Sequence, residues 1–142
     1  MFDGLDTSVQ PTLVSPETVH VWTSRIWPHL EKMTRSSKGR FLTEDIMDAF
    51  QRGAMQLWLV IRGPEVMCVC LTAGVTYPRA RALRLVGLSG HQYKIWAALL
   101  KSIEHVAKQH FDCQIMEAFH PPKYRTILPG YKTTHWFGEK FL

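Results

Sequence analysis

The stretch Arg84 to Trp96, RLVGLSGHQYKIW, joins a β-branched, leucine-rich run to a helical pattern through Gly87-Leu88-Ser89-Gly90. A strand, a glycine loop and a helix N-terminus in that order present backbone N–H groups and the positive end of a helix dipole to a phosphate. The basic residues nearby suit the same chemistry. Arg79, Arg81 and Arg84 approach the loop along one strand, and Lys94 falls in the first turn of the helix. Arg79 and Arg81 share a strand face and Arg84 takes the other, so the three cannot converge on one ligand. GxxG by itself is also what a tight strand–helix corner requires.

General-base chemistry needs a carboxylate or an imidazole. Glu117 on a later strand and His120 just after it are the best placed by order in the chain, with His91 at the loop and His135 further on. The cysteines point elsewhere. Cys68 and Cys70 alternate on one strand face, Cys113 stands alone, and no CxxC occurs. Three cysteines make no disulfide framework and read as small apolar core residues in a reducing compartment. The seven histidines contain no HxxxH or HExxH, which argues against zinc.

These residues need a scaffold, and 142 residues at 46% hydrophobic and 20% charged supply one domain-sized core. No apolar run approaches the ~20 residues of a membrane span. The first residues carry neither the basic nor the apolar region of a secretory signal. The net charge of +5 suits anionic ligands in general.

Residues 1–11 are expected to form a loose arm, and 12–142 a single domain. Thr12 to Val14 is a candidate first strand. Ser15-Pro16-Glu17 announces a helix whose apolar face is Val19, Trp22, Ile26 and Leu30, with Pro28 as an internal irregularity. Thr43 is expected to cap a second helix with Ile46, Met47, Ala49 and Phe50 buried, ended by Gly53. Strands follow at 55–61, 66–76 and 80–86, then a long amphipathic helix from His91 to His110. Cys113 to Phe119 is a further strand, Lys123 to Leu128 a short helix, and Tyr131 to Phe141 a last strand. The fold class is therefore α/β with a mixed sheet. The meander is antiparallel, and the strand after the long helix is parallel to the one before it.

This order resembles the GNAT (Gcn5-related N-acetyltransferase) fold: two helices, an antiparallel meander, then β-α-β with a splayed sheet. Within it, QLWLVIRGPEVMCVCLTAGVTYPRARALRLVGLSG and YRTILPGYKTTHWFGEKFL resemble the small GNAT-like proteins of tailed bacteriophages. The resemblance implies acetyl-CoA as acyl donor and no metal. It places the pyrophosphate at Gly87, Leu88, Ser89 and Gly90 with help from Arg84 and Lys94, and the pantetheine arm against the Leu85 carbonyl. It also implies departures. The family's loop pattern puts a glycine or alanine where Ser89 stands. Its thiolate-protonating tyrosine falls four residues before Gly130, at Thr126, which leaves Tyr124 as the nearest phenol.

Two functions follow as expectations. One is an acetyl-CoA-dependent N-acetyltransferase acting on an amine, with Glu117, His120 and Tyr124 as its catalytic candidates. The other is a GNAT-like protein with degraded catalysis that binds a protein partner, either a phage virion component or a host factor, in the host cytoplasm or the virion. Five tryptophans, with Trp27 and Trp136 as candidates for exposure, suit a partner surface. The chain lacks a recognisable nucleic-acid-binding module, and nothing in it suits a membrane.

Overall fold

A computed structural model describes residues 9–90, 92–118, 127–132, 134 and 138–142. Strand β1 (Val9–Val14) precedes helices α1 (Thr23–Ser36) and α2 (Thr43–Gln51). Strands β2 (Met55–Arg62), β3 (Glu65–Tyr77) and β4 (Ala80–Ser89) follow, then helix α3 (Tyr93–Gln109) and strand β5 (Ile115–Ala118). The five strands form one sheet in the order β1-β2-β3-β4-β5. The first four are mutually antiparallel and β5 runs parallel to β4. The expected mixed sheet is therefore the one observed.

Helices cover both faces, so β2 and β3 are apolar on both sides rather than alternating. Leu57, Leu59, Val69 and Leu71 face α1 and α2, and pack with Ile26, Leu30, Ile46 and Phe50. Trp58, Val60, Cys68 and Cys70 face α3, and pack with Ile95, Trp96, Leu99 and Ile103. Burial pushes the Cys68 thiol up to about 12 and Cys70 well above its ordinary value. Both are core thiols, not nucleophiles.

Several boundaries differ from expectation. β1 begins at Val9 and includes Pro11, which an edge strand tolerates because one side of its backbone needs no ladder partner. Ser15-Pro16 opens a turn instead of a helix. The Ser15 carbonyl accepts from Thr18, a 3₁₀ turn covers Val19–Val21, and α1 starts at Thr23. Pro28 is exposed within α1 and leaves the helix continuous. Thr43 is the first residue of α2, not its cap, and is buried; Asp45 accepts the Leu42 N–H instead. Gly53 takes the left-handed conformation (φ +79°) that ends the helix.

The expected last strand, 131–141, is not seen among its described residues. There, Glu139 binds Lys38 (2.7 Å) and Arg40 (2.5 Å) on the α1–α2 connection. The expected helix at 123–128 lies mostly outside the described residues. Trp27 is half-buried, and Trp136 is also outside them.

Candidate functional site

The register of β4 creates the site. Its pairing with β5 runs from Ala82↔Ile115 to Leu85↔Ala118 among the described residues. On its other side β4 continues along β3, with Leu71↔Gly87, Cys70↔Leu88 and Val69↔Ser89. Thr72 pairs with Leu85 and Leu71 with Gly87, so Val86 is an extra residue, a β-bulge. Beyond that bulge, among the described residues, the outer edge of β4 has no strand partner. Val86 to Ser89 therefore carry backbone N–H and C=O groups on an edge that no described strand covers.

The expected glycine loop is thus strand as far as Ser89, and the true connection to α3 is only residues 90–92. Two of its glycines have packing reasons. A Cβ at Gly87 would lie 2.9 Å from the Met33 sulfur on α1. Gly90 has φ +154° and its Cβ would lie 3.2 Å from the Cys68 Cα. Leu85 and Leu88 face α3 and pack against its core cluster. Ser89 is buried (4% exposed), and its hydroxyl lies 2.7 Å from Nδ1 of the half-buried His29.

The α3 N-terminus follows the end of β4 directly, after residues 90–92. Gln92 precedes it without a side-chain cap, and no acidic residue occupies the first turn. The first intrahelical bond runs from the Trp96 N–H to the Gln92 carbonyl (3.1 Å). The N–H groups of Tyr93, Lys94 and Ile95 consequently have no partner within the helix. Lys94 is exposed in that turn. These groups fit a diphosphate: orphan donors, the positive dipole end and an ammonium, with no carboxylate to oppose an anion.

Arg84 and Glu117 are paired across β4 and β5, and they hold each other. They are directly opposite in the parallel register. The Arg84 Nε donates to Glu117 Oε1 at 2.8 Å, and a terminal nitrogen lies 2.7 Å from the same oxygen. The Tyr77 hydroxyl donates to the other oxygen, Oε2, at 2.9 Å. The structure thus places Arg84 on the candidate base Glu117. His91, His120, Tyr124, Thr126 and His135 lie outside the described residues. Tyr131, next to Gly130, is held on α3: its hydroxyl donates to Glu104 (2.8 Å), and burial, then that carboxylate, push its phenol up. No group of three or more metal-ligating side chains occurs among the described residues. No helix there is long and apolar enough to cross a membrane.

Sequence reasoning missed His29 and Met33. Both are on α1, 60 and 54 residues from their partners on β4, and neither spacing carries a local signal.

No protein-family model matches the chain, and no curated protein matches it. Solved structures do. A ribosomal-protein-alanine N-acetyltransferase from Brucella melitensis biovar Abortus 2308 superposes with a TM-score of 0.66 at 12% identity, over 94% of this chain and 98% of that one. An aminoglycoside acetyltransferase from an uncultured soil metagenomic sample gives 0.74 at 8% identity, over 96% and 98%. A predicted acetyltransferase from Clostridium acetobutylicum, solved with acetyl-CoA, gives 0.66 at 10% identity, over 93% and 96%. The chain has the GNAT acetyltransferase fold. At these identities the likeness speaks for the fold, and function has to come from the site.

Proposed function

We propose that this protein binds an acyl-coenzyme A along the outer edge of β4 beyond Leu85 and transfers its acetyl group to an amine. One observation carries the proposal. The Val86 bulge turns the end of β4, which has no strand partner on its outer edge among the described residues, toward a helix N-terminus without a side-chain cap. The edge from Val86 to Ser89 would receive the amide-bearing arm as an added strand would be received. The N–H groups of 93–95 and Lys94 would hold the diphosphate. Bound there, the cofactor supplies an acetyl thioester. Glu117 would take the proton of the attacking amine at its carboxylate, with Arg84 and Tyr77 fixing its orientation. His120 and Tyr124 remain the candidates for a second proton transfer.

A second reading is a GNAT-fold binder without turnover. Glu117 supports it, since both of its oxygens already have partners. So does Thr126, in place of the family's tyrosine. With the resemblance to phage proteins, it becomes a phage-encoded component that binds a virion protein or a host factor.

A thiol-release assay with acetyl-CoA and a panel of polyamines, peptides and aminoglycosides separates the two. The enzyme reading expects turnover that falls about 10²- to 10⁴-fold in Glu117→Gln with acetyl-CoA affinity unchanged. Binding with no turnover on any amine selects the second reading, and loss of both removes the cofactor site itself.

A further inference from the structure

A cavity of about 260 Å³ opens at the other end of β4, beneath the C-terminal end of α3. Arg81 lines it, eight residues before Ser89, which is roughly 25 Å along an extended strand. It is therefore separate from the proposed acyl-coenzyme A site.

Gly74 forms part of its wall. This glycine is inside β3, in register with Leu83, and its φ is not in the left-handed region. A Cβ added there would meet nothing within 4 Å. Glycine weakens a strand interior and often marks a close approach by another molecule. Gly87 is needed by Met33; nothing in the described protein needs Gly74.

The charged groups around the cavity are of both signs, and both Arg81 and Asp112 are exposed at its mouth. Arg81 and Asp112 both line it, yet neither forms an ion pair with the other or with another described residue. Both lie near the Cys113 thiol. Burial pushes that thiol up, Arg81 pulls it down, and Asp112 pushes it up further. Asp112 is held in the left-handed region (φ +54°), a strained position for a non-glycine residue. Its turn is fixed by the Cys113 N–H on the Ala107 carbonyl (2.9 Å), and by the Gln114 amide on its own carbonyl (2.9 Å).

Gln56 is oriented by a relay. The Trp58 indole, which can only donate, gives its proton to the Thr72 hydroxyl (2.9 Å), and that hydroxyl donates to Gln56 Oε1 (2.8 Å). The Gln56 oxygen is thus committed, and its NH₂ is left as a donor group without a partner among the described residues. Leu83 and Phe111 supply an apolar wall.

We infer that this cavity binds a small zwitterion of the α-amino-acid type. Arg81 and the Gln56 amide receive the carboxylate, Asp112 receives the ammonium, and the open space at Gly74 admits the molecule. Either half alone meets only one of the two charges, and so makes fewer charge-assisted hydrogen bonds.

The test is amide NMR on the full chain, titrated with glycine and L-alanine, and with acetate and methylammonium as half-ligands. The expected result is a saturable shift at Gly74, Arg81 and residues 110–113 for the amino acids, with each half-ligand at least tenfold weaker. Arg81→Gln is expected to weaken binding at least tenfold. Gly74→Val is expected to abolish it while raising the melting temperature, so that unfolding cannot be the reason. Three results overturn the inference: no saturable shift at about 100 mM amino acid, acetate binding as tightly as glycine, or unchanged binding in Gly74→Val.

Discussion

Gly87 and Gly74 stand on adjacent strands, and each interrupts an apolar run. At Gly87 the missing side chain is filled by Met33, which lets α1 close on the bulged end of β4. At Gly74 the missing side chain is filled by nothing, and a cavity begins. The same residue type therefore marks a packed region in one place and an open one in the other. The difference corrects the natural reading of a glycine-rich strand end. Gly87 and Gly90 have structural causes, so the claim of a phosphate site rests on the β4 edge and the α3 N-terminus instead.

Gly90 gives the largest expected effect. Gly90→Ala forces an L side chain onto φ +154° and pushes its Cβ against Cys68 backbone, which cannot swing away. A loss of about 2–3 kcal/mol is expected in urea unfolding; a change under a few tenths would show that the connection is looser than described. Gly87→Val comes next. Its obstacle is the flexible end of Met33, so the expected cost is about 1–2 kcal/mol. Adding Met33→Ala should recover part of that cost, because residues in contact are not additive. If the two costs simply add, Met33 is not what holds Gly87 as glycine. Gly74→Val is the smallest and has the opposite sign. A gain of about 0.5–1 kcal/mol is expected from strand propensity alone. A loss would mean that the open space is structural.

Much of the fold was legible because its signals are local. Strand-length apolar runs at 55–61, 66–76 and 80–86, and 3.6-residue spacing after them, gave the meander and α3. The β-α-β order then implied the parallel pair. The site was less legible because its determinants are tertiary. A strand glycine is locally unfavourable, so Gly87-Leu88-Ser89 read as loop until Met33 and β3 explained it. The Arg84–Glu117 pair joins residues 33 apart, and only the register of the crossover brings them opposite. The same holds for His29 and Ser89. Ser15-Pro16 failed for another reason: the pair suits a turn as well as a helix start, and the 3₁₀ turn that follows delays α1 to Thr23.

The central claim is that the outer β4 edge from Val86 to Ser89 and the α3 N-terminus form one ligand site. Hydrogen exchange of the full chain with and without acetyl-CoA tests it most directly. Slowed exchange confined to the amides of Val86–Ser89 and Tyr93–Ile95, with β1 and β2 unchanged, is the predicted result. Exchange unaltered at those amides under saturating acetyl-CoA, or protection that appears elsewhere on the sheet, would contradict it.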